Sequence, residues 1–324
     1  MNAPATGTGR YDLVAVGDPV LDIVIRGSRL PRWDDKQLGA SAQRFAGGTE
    51  ANAACAASRL GLAVAMFGSL GDGPEGGFLL SELQRYGVGC GWLSRRSGVS
   101  TATAIVYVAD GGERAITFVP ARDTADRSDQ LGAMLRSTRC VYTVPYDAAA
   151  LDRLAAAARG TGTELAVDIE RAVVAAPGVW TAVAGSADLM FFNESGFFAV
   201  AGRAATIEAA QALRRTTRAR VLVVTLGALG ALAVDDQGRA ALQGAYRARV
   251  VDATGAGDCF NGAFLAAHLR GADLQAALAQ GCAAACLCVE ATGARAVTLS
   301  AQSVAEVQQS RTAACIAAEL EARP

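Results

Sequence analysis

The stretch "VVDATGAGDCFNGAF" (250–264) sets two aspartates, Asp252 and Asp258, on either side of Gly255-Ala256-Gly257 and then opens an apolar helix at once. Locally, "RARVV" (247–251) reads as the end of a strand, 252–257 as a loop, and 258–271 as a helix that stops near Gly271. The amides of Gly255, Ala256, Gly257 and Asp258 then lack helical partners and face outward from the positive end of the helix dipole. Phosphate is the natural guest of such an end. The glycines permit the turn and keep side chains out of the ligand's way. Asp258 would repel a bound phosphate unless its charge has a purpose. That purpose is to accept the proton of an attacking hydroxyl while the amides stabilise the transferring phosphoryl group. The helix end is expected to hold the pKa of Asp258 low, so that the base is ionised at neutral pH. An aspartate that merely caps its helix is the plainer reading, but it leaves the Gly-Ala-Gly unexplained.

Scarcity removes other chemistries. Lys36 is the lone lysine and is followed by Gln37, so neither a Walker A loop nor the strand lysine of a protein kinase is available. With no such lysine, a metal such as Mg2+ is left to neutralise the phosphates. His268 is the lone histidine, on what reads as a helix face, which suits a structural role. The eight cysteines are scattered, and Cys282, Cys286 and Cys288 read as buried small hydrophobes on one helix rather than zinc ligands. The formal net charge of -1 gives no general attraction to nucleic acid or anionic lipid. "MNAPATGTGRYD" lacks the layout of a secretory signal, and no apolar run reaches the ~18 residues of a membrane span, so a cytoplasmic protein is expected.

The elements that must position these residues are strand-helix repeats. Apolar runs at 12–17, 63–68, 140–144, 164–168, 188–192 and 221–225 read as strands buried on both faces. Helical candidates lie near 49–60, 75–86, 147–159, 206–217, 258–270 and 273–289. This alternation predicts a three-layer α/β/α fold on a mainly parallel sheet, with ligands beyond the carboxyl ends of the strands. Two segments, 21–45 and 101–119, alternate polar and apolar residues, the second around an Asp110-Gly111-Gly112 turn. They predict a small β lid inserted into a single domain spanning 1–324. The lid strands are too short to bury an apolar face alone, which predicts a homodimer through the lid.

"DATGAGDCFNGAF" resembles the C-terminal signature of the ribokinase-like (PfkB) carbohydrate kinases, usually Asp-Thr-x-Gly-Ala-Gly-Asp, with Ala253 standing at the threonine position. The resemblance runs along nearly the whole chain. In "AVGDPVLDIV" it implies Asp22 as a ligand of substrate hydroxyls; in "FAGGTEANAACAASRLG" it implies Gly47, Gly48 and Asn52 as sugar contacts, Asn52 offering both donor and acceptor. "GSLGDGPEG" (68–76) matches a further family loop. "VVTLGALGALAV" resembles the nucleotide-binding strand and turn, which implies Thr225, Gly227 and Gly230 against ATP. In "FFNESGFF", Asn193 fits the family's Asn-x-x-Glu near magnesium and phosphate, but Gly196 occupies the glutamate position. Asp252 and 291–298 correspond to segments that hold a monovalent cation in some relatives; here they either hold K+ or brace the anion hole.

The resemblance implies an ATP-dependent kinase of a sugar hydroxyl. It places Asp34 or Asp35 of "LPRWDDKQ" at a polar sugar contact, and "FVPARDTAD" puts Arg122 and Asp123 at the pocket mouth, where Arg122 either meets an anionic group or is simply exposed. "AVDIERAV", with Asp168, Glu170 and Arg171, is similar to a strand of ketohexokinases, and sulfofructose kinases share the layout; a ketohexose, ribose or related furanose is therefore favoured. A nucleoside kinase is the alternative, although the chain is aromatic-poor at 6%. A catalytically inert sugar- or nucleotide-binding regulator is another, which the presence of Asp258 disfavours. An NAD-dependent oxidoreductase would need a strand followed by Gly-x-Gly-x-x-Gly, and none is.

Overall fold

The apolar runs form the middle of a nine-stranded sheet. The computed structural model describes residues 10–121, 123, 125–295 and 299–316. In chain order come β1 (Tyr11–Val16), β2 (Val20–Gly27), β3 (Ser41–Gly47), α1 (Thr49–Arg59), β4 (Val64–Gly71), α2 (Pro74–Arg85), β5 (Gly89–Arg96), β6 (Thr103–Ala109) and β7 (Arg114–Val119). Then follow α3 (Ser128–Arg136), β8 (Thr138–Thr143), α4 (Ala148–Thr161), β9 (Glu164–Ile169), α5 (Arg171–Ala175), α6 (Val179–Ser186), β10 (Leu189–Asn193), α7 (Glu194–Ala201) and α8 (Ile207–Arg215). The last are β11 (Val221–Thr225), a 3-10 turn (Gly227–Leu229), β12 (Gly230–Asp235), β13 (Ala240–Gly244), α9 (Ala256–His268), α10 (Leu274–Val289) and α11 (Ala301–Ser310).

The large sheet runs β13-β12-β11-β10-β9-β8-β1-β4-β5. It is parallel except at one edge, where β12 and β13 pair antiparallel. Strand alternation sorts the core to two faces. Leu13, Ala15, Phe191 and Val223 pack towards α1, α9 and α10. Val14, Met190, Phe192, Leu222 and Val224 pack with residues of α3, α4, α6 and α8. The layering is the predicted α/β/α. Strand β5, "GCGWLSRR", is half-exposed and carries glycines and arginines, so it shows no apolar run in the sequence. The helices missed alongside it include α7, only eight residues long, and α3, of nine.

"RARVV" is not a strand. After β13, Tyr246 makes one bridge to Ala313 and residues 247–250 run on without a ladder. Val250 and Val251 are 67% and 56% exposed and join no strand of the sheet. The run is anchored instead by the amides of Val251 and Asp252, which donate to the Val289 carbonyl at the end of α10 (2.7 and 3.2 Å).

The lid is the predicted small sheet, in the order β3-β2-β6-β7. β2 pairs antiparallel with β3 and parallel with β6, and β6 and β7 form the hairpin around 110–113. Leu21 and Ala46 fasten it to Leu70 and Leu79 of the body. Asp22 on β2 lies against Gly47 at the end of β3.

Helices α1 and α9 cross through small residues. Ala51, Ala53, Ala54 and Ala57 are all buried, and a Cβ on Gly262 would collide with the Ala53 carbonyl. The missing side chain lets the two backbones touch, and this brings Asn52 against Asp258.

Candidate active site

Helix α9 starts at Ala256, two residues earlier than the sequence suggests, with Gly255 as its left-handed cap (φ 75°). A side chain on Gly255 would strike Ala294, so the turn needs glycine twice over, for its φ and for space. The Ala256 amide donates to the Ala253 carbonyl (3.3 Å), and Cys259 is the first residue to donate along the helix, to Gly255 (2.9 Å). A Cβ on Gly257 would meet nothing within 4 Å, so this turn borders open space. Of the four amides expected to form the anion hole, Ala256 N–H is turned to Ala253, while those of Gly255, Gly257 and Asp258 have no backbone acceptor among the described residues.

Asp258 is half-buried and its Oδ2 accepts a hydrogen bond from Asn52 Nδ2 (2.8 Å). Burial pushes its carboxyl up to about 7; Glu170 and Asp22 add to the rise, and Asn52 and Arg295 oppose it. This corrects the expectation of a low pKa. The helix end is present, but desolvation among other carboxylates outweighs it.

Those carboxylates come from several elements. Asp22 lies against the bare backbone of Gly47, where a Cβ would collide with its carboxylate, and burial pushes it up to about 6 against the charge of Arg295. Gly48 caps α1 at φ 95°, and a Cβ there would press on Asp18 O and Val20 N at 3.1 Å. Glu170 follows β9 as the residue before α5, raised by burial. Behind them Asp168 is buried, accepting from Tyr142 Oη and Asn261 Nδ2 at 3.0 Å each, and burial holds its carboxyl well above the usual range. Glu50, in the first turn of α1, accepts from the Val144 amide (3.1 Å) and packs where a side chain on Gly17 would sit. Burial pushes it up to about 8.

The structure thus brings Asp22, Gly47, Gly48, Asn52, Glu170 and Asp258 together. Asp34 is exposed in the 28–40 loop at φ 54°, and Asp35 is ion-paired with Arg29, so neither meets this group. Arg122 lies outside the described residues. Asp123 is held by Ser69 Oγ (3.0 Å) and Arg96 Nη1 (2.9 Å). Sequence reasoning missed Glu50, which sits between Gly48 and Asn52 and passes for an ordinary acidic first-turn residue, and Arg295, treated below.

Of the residues expected at the nucleotide, Thr225 closes β11 with Oγ1 donating to the Phe192 carbonyl (3.3 Å). Gly227 (φ 59°) opens the 3-10 turn beside open space, and Gly230 (φ 118°) returns into β12, where a side chain would collide with the Gln243 carbonyl. Asn193 caps α7: its Oδ1 accepts from the Gly196 amide (2.7 Å) and Ser195 Oγ (3.0 Å). A Cβ on Gly196 would collide with the Ile169 carbonyl, which explains why no glutamate stands there. Asp252 accepts from the Thr254 amide (2.9 Å) and the Gly293 amide (3.0 Å). Burial acts upward on its carboxyl, but these bonds prevail and hold it low. The observed contacts brace the 252–255 turn to the 291–295 loop. From the lid, Arg114 Nη1 reaches Thr254 Oγ1 (3.5 Å).

Free amides in the first turn of a helix, with open space beside Gly257, suit an anion such as phosphate. Among the described residues no group of three or more His, Cys, Asp or Glu could hold a metal ion, so Mg2+ would be held through a nucleotide's phosphates and K+ through backbone carbonyls.

The chain thus sets an aspartate bonded to Asn52 in the first turn of a helix with free amides, beside a small second sheet. Residues 11–301 match the pfkB family carbohydrate kinases, and the chain belongs to that family. It is 29% identical to a ribokinase of Bacillus subtilis over 123 residues, 38% of this chain and 42% of that one. It is 27% identical to a fructokinase of Vibrio alginolyticus over 79% of this chain and 84% of that one. In fold it matches the ribokinase of Arabidopsis thaliana complexed with ribose and ATP, with TM-score 0.82 at 24% identity, over 93% of this chain and 99% of that one. The protein is a carbohydrate kinase of the ribokinase-like fold. Among the described residues no helix is long and apolar enough to cross a membrane.

Proposed function

We propose that this kinase transfers the γ-phosphoryl group of ATP to a hydroxyl of a neutral sugar, a ketohexose, ribose or related furanose. The Asn52–Asp258 hydrogen bond carries the reading: it fixes a carboxylate at the mouth of the free amides, with a proton affinity near neutral pH. Asp258 takes the hydroxyl proton as the oxygen attacks. The amides of Gly257 and Asp258 stabilise the charge developing on the transferred group, and Arg114 lies at the same end. A Mg2+ held by the ATP phosphates would supply the remaining neutralisation. Thr225, Gly227 and Gly230 form the nucleotide end; Asp252 braces the turn, and K+ at that loop would act through backbone carbonyls. The chain works as one kinase domain with its lid.

The sugar end selects against negative charge. Asp22, Glu170 and Asp258 face it, while Arg295 is occupied with Asn52 and Gly47. Carboxylates accept hydrogen bonds from hydroxyls and repel sugar acids. ADP release over a panel of neutral sugars, sugar acids and nucleosides, with Mg2+ and with EDTA, tests the reading. Turnover is expected on a neutral sugar and only with Mg2+. Preference for a sugar acid, or full turnover in EDTA, would overturn it.

A further inference from the structure

Arg295 stands at the end of the 291–295 loop and is 9% exposed. Its Nε donates to Asn52 Oδ1 (3.0 Å) and its Nη2 to the Gly47 carbonyl (3.2 Å). The guanidinium lies 5.9 Å from the centre of the Tyr86 ring. Nη1 has no partner among the described residues, and beside the group is a cavity of about 10 Å³, the size of one water. None of its hydrogen bonds goes to a carboxylate. A buried guanidinium without a bonded counter-ion is costly, and a neutral side chain would serve as well to tie the loop to α1. The charge therefore has another use.

That use follows from the Asn52 amide. Its oxygen faces Arg295 and its nitrogen faces Asp258 Oδ2 (2.8 Å). Flipping it would set NH2 against a guanidinium and a carbonyl oxygen against a carboxylate, a double repulsion. We propose that Arg295 is a positioning residue for the base, locking the Asn52 amide in the one sense that donates to Asp258. It touches neither sugar nor phosphate and acts through Asn52. Without it the amide is free to turn, Asp258 loses both its donor and the favourable field, and the carboxylate holds its proton more tightly. The other ionisable groups around Asp258 are Asp22 on β2, Glu50 on α1, Tyr142 on β8, Tyr146 after it, and Asp168 and Glu170 at the end of β9. Glu170 and Asp22 raise its proton affinity, which leaves Arg295 as the cation set against them.

The proposal rests on Asp258 being the base, and the test separates the two. Measure turnover from pH 6 to 9 in the intact protein and in Arg295→Met. An upward move of the acid limb by about one unit costs ~9-fold at pH 6, ~5-fold at pH 7 and almost nothing at pH 9. Arg295→Lys, which restores charge and a donor, should bring the limb most of the way back. A uniform loss at every pH, with the limb unmoved, would overturn the proposal and leave Arg295 as a loop brace. If Arg295→Met does not fold, Arg295→Gln is read by the same criterion. If the unaltered protein phosphorylates nothing, the functional reading fails instead. The proposal is then decided by the ¹³C titration of the Asp258 carboxyl, assigned with Asp258→Asn: its midpoint rises in the Arg295 variant, or the proposal is wrong.

Discussion

Replacing Asp258 by asparagine keeps the shape of the site and an oxygen for Asn52 Nδ2 to bond, but removes the proton acceptor. Loss of a general base costs ~10²–10⁴ in rate, while ATP affinity holds or rises as a negative charge leaves the phosphate's neighbourhood. Stability moves the other way. The folded pKa of about 7 stands above the ordinary 3.8, so the native state binds this proton more tightly than the unfolded chain. Its stabilising contribution is complete below the unfolded value and is lost as the pH rises through the folded one. At 1.36 kcal/mol per unit the loss is at most ~4 kcal/mol, and water in the open cleft screens it to ~1–2 kcal/mol. The neutral amide of the Asp258→Asn variant has no such loss. The variant should melt ~2–4 °C higher than the parent at pH 8, with the gap narrowing towards pH 5. Turnover by coupled ADP release, ATP affinity by calorimetry and melting at both pH values check the three parts. Near-normal turnover would show that Asp258 is not the base. A melting difference independent of pH would show that its carboxylate is not strained in the native state.

Gly257→Ala adds a methyl where nothing lies within 4 Å; melting should be unchanged or slightly raised, while KM for ATP rises about tenfold, the loss of one charge-assisted hydrogen bond, and an unaltered KM would remove phosphate from this turn. Gly262→Ala drives a methyl into the Ala53 carbonyl; it should cost ~1–3 kcal/mol by denaturant unfolding and lower kcat by moving Asn52 off Asp258. Ile116, Phe118 and Val119 on the edge strand β7 are 65%, 54% and 48% exposed; light scattering should give a dimer that Phe118→Lys dissociates, whereas a fully active monomer would refute pairing through the lid.

Much of the frame was legible because strands buried on both faces leave unbroken apolar runs. The edges were not. β5 lies half-exposed at the end of the sheet and carries Arg95 and Arg96, so no periodicity marks it. "RARVV" misled for the converse reason: paired valines imply a strand, yet Val250 and Val251 face solvent outside any ladder. The turn at 252–258 was legible in residue types, since Gly-Ala-Gly between aspartates has few structural uses. Its electrostatics were not. A helix end acts over one turn, but the proton affinity of Asp258 is decided by burial together with Asp22 and Glu170, which are remote in sequence and brought near by the lid and by β9.

Distance along the chain also hid the support of the base. Asn52 is 206 residues from Asp258, and Arg295 is 243 from Asn52. Nothing local distinguishes Arg295 from the many arginines that carry the positive charge of a chain with one lysine. What brings the triplet together is a backbone property, the bare contact of α1 and α9 at Gly262 and Ala53. The alanine content of α1 therefore has a mechanical consequence beyond helix propensity. Larger side chains there would separate the helices and, with them, the amide from the carboxylate it orients. The packing of two helices through small residues thus holds Asn52 at 2.8 Å from Asp258, and a larger side chain at the crossing is expected to lengthen that bond.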